Sequence, residues 1–385
     1  MSRAREVSKI VLTAVTDNEL NSALQNVTVD LSGYATINQL SASVGNINMS
    51  SAIVTASSAA VAELNNKIFI GSASPSGVID GRLWIDPTTA SSPVVSIYGG
   101  GTWNSFRQGR IKAEGGIKSY VGNYTVHKFT SSSSFTCYEN LNIEYLIVAG
   151  GGGGGVWVGG GGGGGGLLSG NTSINSSTYS MVIGSGGIGG YGIGVTTATL
   201  ITSPTNGNNS TAFGLSAIGG GRGASWTLQD GLSGGSGGGR DETRGTTRLT
   251  GTSGQGYSGG ISIYTGGYPG GGGGGAGGQG GDASSTSIAG SGGIGVLNAI
   301  DGSSSYYSGG GGGGLNTPPG SAGAGGLGGG GNGAVGTGNT VTGSVAVSGL
   351  VNTGGGGGAA GQGSINPNAT GGNGGSGIII LRYLT

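Results

Sequence analysis

The sequence predicts a mainly β protein in three parts. These are an amino-terminal helical trimerisation stalk, a small β module, and a carboxy-terminal β-sandwich holding an inserted block of packed polyglycine helices. Three observations lead there. Glycine supplies 100 of the 385 residues and gathers after residue 150, in runs at 150–155, 159–166, 271–275, 309–314 and 354–358. Two strongly apolar segments, 142–149 and 378–383, bracket that region. Before residue 65, apolar residues recur at spacings of three and four.

Residues 1–65 read as an attachment and oligomerisation region. Val7, Ile10, Ala14, Leu20, Leu24 and Val27 give a loose helical pattern that breaks at 30–33. Ile37, Leu40, Val44, Ile47, Ser51, Val54, Ser58 and Val61 then form a heptad seam. Val and Ile occupy both kinds of core position, which disfavours a parallel dimer and fits a homotrimer. The expected oligomerisation contacts are Ile37, Leu40, Val44, Ile47, Val54 and Val61, weakened by the two serines. One amphipathic helix packed on a domain would show the same pattern.

Residues 66–116 read as the small β module. Short β-type runs at 82–85 and 94–98 are bounded by Pro, Gly and Asp, and Trp84 and Trp103 are its expected core. From 117 to 385 the chain reads as the sandwich. Segments 124–129 and 135–138 are expected to form a hairpin around the serines at 131–134, with His127 half-exposed and Cys137 a small buried residue. Segments 142–149 and 378–383 are expected in one sheet, so the glycine region becomes a long insertion tethered at both ends. Segments 178–183 and 211–217 supply further strands.

Glycine has no side chain to bury, so an ordered glycine region must pack backbone on backbone. Extended helices of the polyproline II type point their N–H and C=O groups outward, and several lying together can bond to one another. The sequence is sorted as such a block requires. Interruptions inside the runs are mostly Ala, Ser, Asn or Gln, as in 271–281 and 323–334. Bulky and charged residues cluster at 222–232, 240–249, 257–269, 303–307 and 315–319.

Composition excludes several functions. Fifteen basic and fifteen acidic residues balance, with no basic patch, so no nucleic acid partner is expected. One cysteine and one histidine rule out an intrachain disulfide and a structural zinc site, and no cofactor or metal is expected. The glycine runs lead into Val156, Leu167, Ala276, Leu315 and Ala359, never into Lys-Ser or Lys-Thr, so they are not phosphate loops. Glu139, Glu144, Asp230, Asp241, Glu242, Asp282 and Asp301 show no spacing that marks a hydrolase pair, and no catalytic residue is assigned. The amino terminus lacks a signal-peptide core and the longest apolar runs are too short for a membrane helix, so synthesis in a cytoplasm without processing is expected.

Binding suits the clustered side chains better. Trp226, Tyr257, Tyr264, Tyr268, Tyr306 and Tyr307 can stack or bury area, and Arg240, Asp241, Arg244 and Arg248 can make directed polar contacts. Packing between the glycine block and its neighbours is the competing role for some of them.

Segments 145–155 (YLIVAGGGGGG), 208–221 (NNSTAFGLSAIGGG) and 373–383 (NGGSGIIILRY) resemble the glycine-rich domain of bacteriophage tail fibres and host-recognition adhesins, over roughly residues 117–385. Pro75, Gly81, Leu83, Trp84, Asp86, Tyr98, Gly101 and Trp103 resemble a short module of phage fibre proteins, and 31–40 (LSGYATINQL) is similar to junctions before fibre helices. The resemblance implies a virion component made in the host cytoplasm, usually trimeric, joined to tail, baseplate, neck or capsid proteins through its amino-terminal part. It implies glycine helices inserted in a jelly-roll-like sandwich, beneath loops that meet a host surface glycan or outer-membrane protein. A structural component decorating capsid, neck or baseplate is the alternative it leaves open.

Overall fold

The structure, a computed structural model, describes residues 68–70, 82–86, 94–99, 101–106 and 111–385, apart from 194–198, 227, 242, 244–246, 264–267, 317–318, 337–343 and 363–367. The expected stalk and its seam at Ile37, Leu40, Val44, Ile47, Val54 and Val61 lie outside the described residues, as do Arg244 and Tyr264. The described residues are all β, arranged in several sheets with no barrel, and contain no helix. The chain divides into Met1–Arg110 and Ile111–Thr385.

In the first unit β1 (Ile68–Ile70), β2 (Leu83–Asp86), β3 (Val94–Gly99) and β4 (Thr102–Phe106) form one sheet in chain order. β1 and β2 are parallel and the other pairs antiparallel. Trp84 is half-buried within it.

The second unit starts with β5 (Ala113–Glu114), β6 (Ile117–Val121), β7 (Tyr124–Phe129), β8 (Ser133–Cys137) and β9 (Leu141–Val148). β10 (Leu167–Ile174), β11 (Ser177–Met181) and the carboxy-terminal β20 (Ile378–Leu384) complete two sheets, ordered β10-β9-β20-β7-β6 and β11-β8-β5. The expected pairing of the two apolar segments is present, antiparallel, with Ile378 opposite Val148 and Leu381 opposite Tyr145. The expected hairpin of 124–129 with 135–138 is not. β7 pairs with β6 and β20, whereas β8 pairs with β11 and β5, so the serine run crosses between sheets.

Burial explains why β9 and β20 are apolar without alternation. One face of their sheet meets β5, β8 and β11 in a core of Phe129, Phe135, Cys137, Ile143, Ile147, Met181, Ile379, Leu381 and Tyr383. The other face carries Val126, Leu146, Val148, Ile378 and Ile380 against Ile300 and Tyr307. A sheet covered on both faces needs apolar side chains at successive positions rather than every second one.

The remaining strands are short. β12 (Tyr191–Ile193), β13 (Thr199–Thr202), β18 (Ser344–Val345) and β19 (Ala369–Thr370) form a sheet ordered β13-β12-β19-β18. β14 (Ser210–Ala212) pairs with β15 (Leu215–Ala217), and β16 (Val296–Asn298) with β17 (Ser305–Tyr307).

Between these strands the glycine segments run to and fro, bonded backbone to backbone. Residues 150–155 show the rule. Their N–H groups donate to Asn208, Gly375, Gly163, Thr205, Gly372 and Gly160 in turn, so each neighbouring segment is met again after three residues. Their carbonyls accept from Gly220, Gly187, Gly357, Gly223, Gly190 and Ala360 with the same period. Every backbone group of the run is thereby satisfied although it is fully buried, which removes the cost of stranding polar groups away from water. A Cβ on Gly152 would run into the Gly221 carbonyl, and one on Gly162 into the Gly152 carbonyl. Glycine is required here by the close approach of neighbouring chains.

The core also holds one neutral polar pair. His127, expected half-exposed, is completely buried, because its side of β7 faces the second sheet, where the imidazole meets Phe135 edge-on at 5.2 Å between ring centroids. Its Nδ1 donates to the Gly115 carbonyl at 2.6 Å, and Nε2 accepts from the Tyr383 hydroxyl at 3.1 Å. Burial pulls the imidazole below its ordinary value of 6.5, against the raising effect of the Gly115 carbonyl and helped by Lys118. Burial also pushes the Tyr383 phenol up to about 12. The unfolded chain therefore binds the extra His proton first as pH falls through 6.5, so stability should decline below that pH and level off under the folded-state value. At the alkaline end the unfolded phenol ionises near 10 while the folded one stays neutral, so stability should fall as pH rises from 10 towards 12. Urea unfolding across a pH series, with His127→Gln beside wild type, checks this; equal acid slopes in both would show that His127 is not the cause.

Candidate functional site

Chain direction within the glycine segments sorts the turns into two ends. Residues 150–155 leave β9 and 159–166 return to β10, so Val156, Trp157 and Val158 turn at the end away from the two large sheets. Trp157 and Val158 both have left-handed backbone, at φ 50° and 57°, a strained choice for bulky and β-branched residues. Burial holds them there: Val156 and Trp157 pack with Ala346, Ala360 and Ala369, and partly buried Leu200 and Trp226 close over them. β12 passes directly across the indole, at Gly192, where a Cβ would overlap the Trp157 ring.

The polar residues at this far end are tied to one another. Arg240 Nη1 meets Asp230 Oδ1 at 2.7 Å, and Arg240 Nε donates to the Thr247 carbonyl at 2.8 Å. Arg248 Nη2 meets Asp282 Oδ2 at 2.5 Å, while Asp282 Oδ1 accepts the Ile261 N–H at 2.8 Å. These pairs pin the turns around 230, 248, 261 and 282 to each other; partly exposed as they are, each contributes only about 0–1 kcal/mol. Tyr268 is exposed with left-handed backbone at φ 53°, one residue before Pro269. Asp241 is fully buried, and its Oδ1 accepts from the Thr243 N–H and hydroxyl, each at 3.1 Å.

The residues singled out for binding therefore do not form one surface. Trp226, Arg240, Asp241, Arg248 and Tyr268 stand at the far end, with Trp226 half-buried against Trp157 and Asp241 interior. Tyr257 is exposed but lies near the sheet end, its carbonyl bonded to Gly237 and its N–H to Gly275. Tyr306 and Tyr307 are in β17, directly on the large sheet; Tyr306 is 37% exposed, and Tyr307, at 6%, belongs to the core there.

Tyr306 lines a cleft of about 580 Å³ that sequence reading did not anticipate. Its walls come from β7, the β16–β17 hairpin, and the turns at 328–329 and 350–353. Residues so far apart in sequence share no motif. The one local signal was Asn352 just before a Thr-Gly pair, and Asn352 does adopt left-handed backbone at φ 60°. Among the described residues, no group of three His, Cys, Asp or Glu side chains is placed to hold a metal ion.

A family model described as a glycine-rich domain matches residues 127–384. No curated protein matches the chain.

Proposed function

The chain belongs to the glycine-rich domain family, and from that premise we propose that it is a bacteriophage tail fibre or fibre-tip protein that binds a host surface glycan or outer-membrane protein during adsorption. In this reading the glycine segments are polyproline II-type helices forming a stiff spacer, inserted in a jelly-roll-like sandwich, and the helical stalk trimerises and docks on the virion. At about 3.1 Å per residue, a six-residue run holds its turn roughly 19 Å from the sheet edge. The observation that carries the reading is the sorting of side chains. Trp226, Asp230, Arg240, Arg248, Tyr268 and Asp282 gather at the far end, above glycine runs such as 150–155, 159–166, 271–275 and 309–314 that carry no side chains. Tyr268 adds to it, an exposed aromatic residue kept in left-handed backbone, the kind of local strain that gathers at binding sites.

One observation favours a structural virion component instead. Arg240 and Arg248 are already neutralised by Asp230 and Asp282, so they serve the chain's own turns. Binding of the labelled full-length chain to a panel of Gram-negative strains separates the two. Saturable binding to some strains, reduced about ten-fold by Tyr268→Ala without loss of thermal stability, is the expected result. Absence of cell binding, with incorporation into particles intact, would favour the structural role.

A further inference from the structure

The cleft at the sheet end of the glycine array has the make-up of a saccharide site. In its lining Lys128 Nζ and Asp301 Oδ2 form an ion pair at 2.6 Å, and Asp301 Oδ1 also accepts the Ser303 N–H at 3.1 Å. The pair is closed on itself and offers no net charge. Tyr306 presents part of its ring, and Leu350, 61% exposed, stands at the lip. Thr130, Ser303 and Ser305 also line it.

The backbone of this wall is held in unusual conformations. Asn352 is left-handed at φ 60°, and Gly328 and Gly329 have positive φ of 103° and 87°. Asn352 is locked there: its N–H donates to Ser376 Oγ at 3.0 Å, and Ser376 Oγ donates back to its Oδ1 at 3.2 Å. That second bond orients the amide so that the NH₂ group is set by the fold before any ligand arrives. Thr353 Oγ1 is fixed in the same way, donating to the Leu350 carbonyl at 2.7 Å and accepting the Gly355 N–H at 3.1 Å. Left-handed non-glycine residues over-determined by such bonds are a pointer to binding, because the strain persists only where surrounding structure enforces it.

From this combination we propose that the cleft binds a short neutral oligosaccharide, with one sugar ring against Tyr306 and its hydroxyls shared between Asn352 and the Lys128–Asp301 pair. An apolar ligand would displace water from the polar wall and supply no hydrogen bond in its place. A charged ligand would have to break the Lys128–Asp301 pair to find a counter-charge. A sugar has an apolar C–H face and a polar rim, and it needs neither sacrifice. The volume lies within the roughly 300–1,000 Å³ usual for small-molecule sites. This site is at the opposite end of the array from the turns assigned to adsorption and stands independently of that reading.

Saturation-transfer NMR on the full-length chain, titrated with maltotriose, lactose and chitotriose, tests it. Saturable binding of at least one of the three is expected. Tyr306→Ala should weaken that binding about ten-fold and Tyr306→Phe should retain it. Asn352→Gly keeps the left-handed backbone while deleting the amide, and should weaken binding several-fold with thermal stability retained. Ile188→Ala, at an exposed residue that does not line the cleft, should leave sugar binding unchanged. No saturation by any of the three sugars, or undiminished binding by Tyr306→Ala, overturns the proposal.

Discussion

Substituting Gly154 by alanine should destabilise the glycine-rich unit by about 3 kcal/mol or more, the upper end of what overpacking costs, lowering its melting temperature by roughly 6–12 °C. Gly154 sits in the middle of the first run, where its N–H donates to Gly372 and its carbonyl accepts from Gly190. An added Cβ would collide with the Gly358 carbonyl and crowd that of Gly357. Both obstacles are backbone, bonded in turn to further segments, so neither can swing aside as a side-chain end would. The opposing effect is smaller, because a Gly to Ala change restricts the unfolded chain by only about 0.4–1 kcal/mol where the native backbone tolerates it.

Gly278 is the matched control. It lies in a turn, and its added Cβ would meet the Ile294 Cγ2 methyl at 3.0 Å, the end of a side chain that can give way, and the Ile294 N at an ordinary 3.8 Å. Gly278→Ala should therefore be neutral or slightly stabilising. Thermal and denaturant unfolding of the two variants side by side measures the difference. If Gly154→Ala proves as stable as Gly278→Ala, backbone-on-backbone packing is not what makes glycine necessary in these runs.

Trp157→Ala is the second large effect, expected at about 3–5 kcal/mol, the range for removing a fully buried large aromatic side chain. Trp157 is completely buried, and the array around it has few other large side chains to fill the space it leaves. Its buried neighbours Ala346, Ala360 and Ala369 have short side chains that cannot close the cavity, which leaves Val156 and the partly buried Leu200 and Trp226 as the larger groups able to shift into it. Some relief comes from the left-handed backbone at φ 50°, which alanine occupies no better than tryptophan but glycine does. Trp157→Gly should therefore be no worse than Trp157→Ala, despite removing one more carbon. The damage should be local. Hydrogen exchange should accelerate in β12, β13 and β19, which lie over the indole, before it accelerates in β9 and β20. Uniform acceleration across the unit would instead mean that Trp157 supports the whole fold.

How far the sequence predicts this molecule depends on which interactions are local. The β2 and β3 runs, the apolar β9 and β20, and the ordering of the glycine region follow from composition and short-range pattern. They match the structure closely, with 82–85 and 94–98 found as Leu83–Asp86 and Val94–Gly99. Cys137 is buried as its alternating segment implied, its Sγ donating to the Glu139 carbonyl at 2.7 Å. Partner choice was not legible. Nothing near the serines at 131–134 reveals that β8 leaves β7 for β11, because register and sheet membership are set by strands that arrive from far along the chain.

The candidate site divides on the same line. The kinds of residue able to bind were visible as clusters of aromatic and charged side chains, but their placement was not. Asp241 and Tyr307 are interior, Trp226 braces Trp157, and Tyr306 faces a cleft whose other walls come from residues 128, 301 and 352. By itself the sequence determined that the glycine region, if ordered, must pack backbone on backbone, and its sorted runs favoured that over a disordered tract. A quarter of its residues are glycine, sorted into runs, and such runs satisfy their buried amides only on one another. Only the tertiary structure decided which turn stands at which end. That follows from the direction in which each segment threads the array, and glycine, having no side chain, leaves no mark of direction in the sequence.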